Sequence, residues 1–76
     1  MQEKEILRRF GKNVRRARLM KDVTLTALAY KIDYHASSLH EIESGNRWPR
    51  PEVLARLTEE LGVSLDDLLK GDERSA

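Results

Sequence analysis

Apolar residues recur through most of the chain at the three- and four-residue spacing of amphipathic helices. The longest example is residues 3–20, where Ile6, Phe10 and Val14 fall on one face and basic residues occupy the opposite face. Gly11 lies inside this helix, either to admit a neighbouring helix at close range or as a residue that the helix merely tolerates. No segment alternates between apolar and polar residues as a half-buried strand does. The pattern therefore predicts an all-α fold, a compact bundle of five helices without a sheet.

The central stretch, residues 24–44, is predicted to form two short helices joined by a sharp turn at 33–35. The apolar residues of the two helices, which have helical spacing within each, are Leu28, Ala29, Ile32, Leu39 and Ile42. The Thr24 hydroxyl is placed to cap the first helix, and Gly45 is placed to end the second in a left-handed conformation. Two helices joined in this way form a helix-turn-helix, and in its DNA-binding versions the second helix enters the major groove.

Two more helices are predicted in the C-terminal third of the chain. Their apolar residues are Val53, Leu54, Leu57 and Leu61 in the first and Leu65, Leu68 and Leu69 in the second. The first is expected over residues 51–61, with a proline in its first turn and Gly62 at its end. Ser64 is placed to cap the second, and Gly71 is expected to stop it. Residues 71–76 are predicted to be a polar tail.

Length and composition favour one domain over residues 1–76. The chain has no cysteine, which excludes disulfides and thiolate metal sites. No apolar run approaches the ~20 residues needed to span a bilayer. The N-terminus lacks the apolar segment of a signal peptide. We therefore expect a cytoplasmic protein that has no contact with a membrane.

The net charge of +1 conceals an uneven distribution along the chain. Residues 1–22 carry eight Lys/Arg against three Asp/Glu, whereas residues 51–76 carry three against seven. Two interpretations stay open for these charges. The basic end faces a polyanion, or the charges only solvate the surfaces of helices.

Several short motifs occur in the order and spacing of a known family. They are Thr24 followed by Leu28-Ala29, LHEIESG over residues 39–45, Pro49, and LGVSLDDLL over residues 61–69. In these motifs the chain resembles, over about residues 10–71, the phage repressor and Cro type of helix-turn-helix domain, which is common in small transcription regulators. The resemblance implies a lambda-repressor-like fold with double-stranded DNA as its partner.

The resemblance also implies a structural ion pair and a recognition helix. In the family, an arginine late in the first helix pairs with a glutamate at the end of the recognition helix, and the matching residues are Arg18 and Glu43. The recognition helix corresponds to residues 35–44. Its outward face is expected to hold Ala36, Ser37, His40, Glu41 and Ser44, and none of these is a strong bidentate base reader such as Gln, Arg, Lys or Asn. The chain departs from the family pattern at Leu25, where glutamine is usual, and at Asp33, where glycine is usual.

The expected DNA contacts surround this recognition helix. They are Thr24, His35, Ala36, Ser37, Ser38, His40, Glu41, Ser44, Asn46, Arg47 and Arg50. Because strong base readers are lacking, phosphate contacts are expected to carry most of the affinity. Trp48 lies in the loop after the helix and either covers the core over the helix pair or contacts DNA or a second subunit.

Other chemistry is not expected in this chain. His35 and His40 are five residues apart, so they do not share a helical face as a metal pair at i, i+4 does. No nucleophile–base arrangement and no glycine-rich phosphate loop is present. We expect no catalytic activity, bound metal, cofactor or small-molecule substrate.

Two functions fit these observations. The leading hypothesis is a repressor-like, sequence-specific DNA-binding transcription regulator that works as a homodimer. The family resemblance implies that its C-terminal helices would pair, with Val63, Leu65 and Leu69 as candidates for the interface or, alternatively, for the core. The second hypothesis, motivated by the neutral-to-acidic recognition helix, is a protein-interaction module with weak or no base reading. Salt-dependent retardation of DNA distinguishes the two.

Overall fold

The structure is a computed structural model that describes residues 2–71. Its helices are α1 (Glu3–Met20), α2 (Leu25–Lys31), α3 (Ala36–Glu43), α4 (Pro51–Leu61) and α5 (Leu65–Leu69). No strand occurs within residues 2–71, so the prediction of an all-α, five-helix fold is confirmed. No helix among these residues is long and apolar enough to cross a membrane. Apart from Gly71, the predicted polar tail lies outside the described residues.

All five helices contribute to one hydrophobic core. Its buried members are Phe10, Val14, Leu28, Ala29, Ile32, Leu39, Ile42, Val53, Leu57, Leu61 and Leu68. The apolar faces predicted for the helices therefore turn inward, because burial of apolar area is the main force that holds so small a domain together. The exception is Leu65, which was placed on the apolar face of α5 and is 42% exposed.

The predicted caps are present at most helix ends. The Thr24 hydroxyl accepts a hydrogen bond from the Ala27 backbone N–H at 3.1 Å, as expected for the start of α2. At α5, the Ser64 hydroxyl accepts from the Asp67 N–H while the Asp67 carboxylate accepts from the Ser64 N–H, both at 3.0 Å. This reciprocal pair is a capping box. Gly45 follows the last turn of α3 with a φ of +80°.

The expected stop of α5 at Gly71 is wrong. The helix ends at Leu69, and Lys70 is already extended, with φ −65° and ψ 145°. The Asn13 side chain of α1 donates hydrogen bonds to the carbonyls of Leu68 and Lys70, at 2.8 and 2.9 Å. A long-range contact with α1, instead of a glycine, therefore satisfies the carbonyl groups at this end of the helix.

Gly11 brings α1 against the C-terminal end of α3. A Cβ atom at this position would overlap the Ile42 carbonyl oxygen and lie 2.8 Å from that of Glu43. Of the two interpretations of Gly11, close approach of a neighbouring helix is therefore correct. The contact places the C-terminal end of α3 directly against the backbone of α1.

Candidate nucleic-acid interface

The turn between α2 and α3 depends on a left-handed residue. Asp33 has a φ of +55°, and it is one of the few residue types that adopt this conformation at little cost. The Tyr34 N–H then donates back to the Ala29 carbonyl at 2.9 Å, which closes the turn. The turn therefore lies where the sequence predicts it, at 33–35. Asp22, between α1 and α2, also has a positive φ of +61°, which the sequence analysis did not anticipate.

The predicted pair of Arg18 and Glu43 forms as a buried, bidentate ion pair. Arg18 Nε donates to Glu43 Oε2 at 2.8 Å, and Nη2 donates to Oε1 at 3.1 Å. Arg18 Nη1 donates to the Val23 carbonyl at 2.9 Å, which links the pair to the connection before α2. Each of the two residues is only 8% exposed. The hydrogen bond with Glu43 raises the pKa of Arg18, so the guanidinium keeps its charge inside the protein.

The exposed face of α3 is a single stripe of four polar residues. They are Ser37, His40, Glu41 and Ser44, at positions i, i+3, i+4 and i+7. Leu39 and Ile42 hold the opposite face in the core with 0% exposure. His35 and Ser44 flank the helix as its N-cap and C-cap, so α3 is one residue shorter at each end than predicted.

Ala36 does not belong to this stripe. It was expected to face outward, but it is half-buried and packs against the core. Its position at the first turn of α3, directly after the sharp turn, directs the methyl group toward the interior. Ser38 is also half-buried. The face that α3 offers to a partner is therefore narrower than the expected set of residues.

The loop after α3 places the basic side chain of Arg47 beside this stripe. Asn46, Arg47 and Arg50 are all exposed. Arg47 Nε donates to Glu41 Oε1 at 2.9 Å, and both side chains are about half exposed. The hydrogen bond to Glu41 is the main cause that raises the pKa of Arg47. Both residues were expected as DNA contacts, and their ion pair was not predicted from the sequence.

Trp48 rests on the core through an aromatic contact. Its ring centroid lies 5.2 Å from that of Phe10, with the rings tilted by 46°. The indole therefore covers a core residue of α1, whereas the lid was expected over α2 and α3. The Trp48 side chain is 39% exposed, so it also forms part of the protein surface. Its neighbour in the sequence is Arg47.

A short helix that offers one polar stripe, backed by a second helix across a sharp turn, is the arrangement of a helix-turn-helix. Comparison with protein families matches residues 14–68 to the helix-turn-helix family. The chain belongs to this family, in its Cro/C1 type, and is a DNA-binding transcriptional regulator.

Solved structures share the fold. The clp gene regulator ClgR from Corynebacterium glutamicum is 33% identical over 84% of this chain, with a TM-score of 0.78. The match covers 68% and 82% of that protein's chain in its two crystal structures. The restriction-modification controller protein C.AhdI from Aeromonas hydrophila is 24% identical over 82% of this chain and 94% of its own, with a TM-score of 0.76, and shows likeness of fold alone. A comparison with curated proteins found no match.

Proposed function

We propose that this protein is a sequence-specific transcription regulator that inserts α3 into the major groove of double-stranded DNA. The observation that carries the proposal is the exposed stripe of Ser37, His40, Glu41 and Ser44 on a helix whose other face is held by the core and by the Arg18–Glu43 pair. A helix presented in this way fits the groove and offers side chains to base edges. The proposal includes no catalytic reaction, cofactor or small-molecule substrate, and it places the protein in the cytoplasm with the DNA.

Phosphate contacts supply most of the affinity in this proposal. The groups available around the stripe are Thr24, His35, Ser38, Asn46, Arg47, Arg50 and the backbone N–H groups at helix N-termini. Serine reads bases weakly and Glu41 accepts only from the cytosine amino group, so the base contacts contribute discrimination more than binding strength.

A homodimer through α5 completes the proposal. Leu65 is 42% exposed, while Val63 and Leu69 are partly buried against the core. Leu65 therefore offers exposed apolar surface to a second copy. Val63 and Leu69 add the part of their surface that the core leaves uncovered. Two copies related by a two-fold axis would read half-sites about 34–36 Å apart, one turn of DNA.

A salt titration of DNA binding tests the regulator proposal. On a site selected from random duplexes, Arg50→Ala should make the slope of log affinity against log salt shallower by about 0.9, because one phosphate contact is lost. Arg16→Ala is the matched control, since Arg16 is an exposed arginine on the outer face of α1, away from α3 in the sequence. It should leave the slope unchanged. Equal effects of the two variants would contradict the proposed interface.

The alternative function, a protein-interaction module, is favoured by one observation. The exposed stripe of α3 carries a carboxylate and no lysine or arginine. If the parent protein shows no salt-dependent retardation of any duplex, the regulator proposal fails and this alternative replaces it.

A further inference from the structure

Glu41 presents an electrostatic difficulty for the proposed interface. It is the one carboxylate on the exposed stripe of α3, since the second carboxylate of the helix, Glu43, is buried against Arg18. In a major groove it would approach the phosphates at both edges, and like charges repel. Its acceptor oxygens find a good base partner only at the N4 amino group of cytosine.

Arg47 lies where it offsets this charge. Its Nε–H donates to Glu41 Oε1 at 2.9 Å from the loop that directly follows α3. The two side chains are 49% and 51% exposed, and an ion pair this open to solvent costs little to break. Arg47 is also one of the side chains that the proposed function assigns to phosphate contacts. In that proposal the same guanidinium has two anionic partners, Glu41 and the DNA backbone.

We propose that Arg47 exchanges partners according to the DNA sequence, an inference that rests on the proposed function. On DNA without a suitably placed cytosine, Arg47 stays paired with Glu41, cancels its charge and makes no phosphate contact. On a site that places a cytosine opposite Glu41, the carboxylate accepts from the N4 amino group and Arg47 passes to a phosphate. The exchange couples one base contact to one phosphate contact, so a weak base-reading helix gains discrimination.

Substitutions on each side of the pair test the exchange. The probes are a duplex selected with the parent protein, the same duplex with the cytosine opposite Glu41 replaced by thymine, and a random duplex. The parent should prefer the first over the second by about 5- to 100-fold, the usual range for one base pair. Glu41→Met, which removes both the charge and the acceptor oxygens, should reduce that preference to about twofold. It should also bind the random duplex more tightly, with a salt slope steeper by about 0.9, because Arg47 is then free to neutralise a phosphate.

Glu52→Met is the matched control. Glu52 lies 3.8 Å from Arg50 in a second exposed pair of the same region, and its substitution makes the same change in net charge. It should keep the preference of the parent protein for cytosine. Arg47→Ala should make the salt slope shallower by about 0.9 on the selected duplex and leave it unchanged on the random duplex.

Two results overturn the exchange while the proposed function stands. One is a Glu41→Met variant that keeps the parent's preference for cytosine. The other is an Arg47→Ala variant whose salt slope changes equally on the selected and the random duplex. Absence of salt-dependent binding by the parent protein would instead refute the proposed function itself, and the exchange with it.

Discussion

Replacement of Arg18 by alanine should be among the most destabilising single changes in this protein. Arg18 donates three hydrogen bonds, two to Glu43 and one to the Val23 carbonyl. Both members of the pair are 8% exposed. The change would leave the Glu43 carboxylate buried without its cation, and burial of an unpaired charge is far more costly than loss of an exposed pair.

The expected loss is about 3–5 kcal/mol, the usual cost of removing one partner from a buried ion pair. A domain of 76 residues has a free energy of unfolding of roughly 4–11 kcal/mol. Arg18→Ala should therefore remove about a quarter or more of the free energy of unfolding. Removal of both charges tests the origin of the loss. The double variant Arg18→Met, Glu43→Leu leaves no unpaired charge and should lie within about 1 kcal/mol of the parent or above it.

Urea unfolding at neutral pH measures these differences by circular dichroism. Fluorescence of Trp48, the one tryptophan, gives a second probe through its packing on Phe10, and coincident transitions would establish two-state unfolding. A loss below about 1 kcal/mol for Arg18→Ala would be the behaviour of an exposed pair and would refute this reasoning. Arg18→Ala removes no base contact directly, because Arg18 is buried behind α3.

Two further predictions concern helix packing and acid stability. Gly11→Ala should lower stability by about 1–2 kcal/mol, although alanine favours helix by up to ~1 kcal/mol, because its Cβ would meet the carbonyls that end α3. A rise in the urea midpoint would contradict that contact. Hydrogen bonds from the Ser64 backbone N–H and side chain lower the pKa of Asp67 from its ordinary value of 3.8, so its ionised form stabilises the fold above that pH. The contribution should disappear as the pH falls below 3.8 through the lowered pKa. The melting temperature should therefore fall more steeply between pH 5 and pH 2 for the parent protein than for Asp67→Asn. Asp66→Asn is the control, because it keeps the capping box. Parallel curves of melting temperature against pH for the parent and Asp67→Asn would count against the cap.

Periodicity was sufficient to predict the helices because the core is built from side chains that share a face within each helix. Leu39 and Ile42 illustrate this, since both have 0% exposure as their spacing implies. The Arg18–Glu43 pair was also predictable, but only from the family resemblance, because the two residues lie 25 positions apart and belong to different helices.

The contacts that the sequence analysis missed are those made by polar side chains over long or irregular separations. Asn13 reaches the end of α5 across 55 and 57 residues, and no local pattern marks such a partner. Arg47 reaches Glu41 from a loop whose path depends on the whole fold. Ala36 faces inward because the chain enters α3 from the sharp loop before it. The spacing of apolar residues alone does not determine the direction of that entry.

The orientation of α3 depends on α1 more than on its own sequence. A helix of eight residues is too short to be stable alone in water, so its packing partners must hold it. Two of these partners lie seven residues apart on α1, where Gly11 meets the carbonyls at the end of α3 and Arg18 holds the Glu43 carboxylate. Both act on the C-terminal end of the helix, next to the loop that carries Arg47. In the proposed complex, changes on α1 that touch no DNA would therefore act on the angle at which the stripe meets the groove, and on Glu41 and Arg47 together.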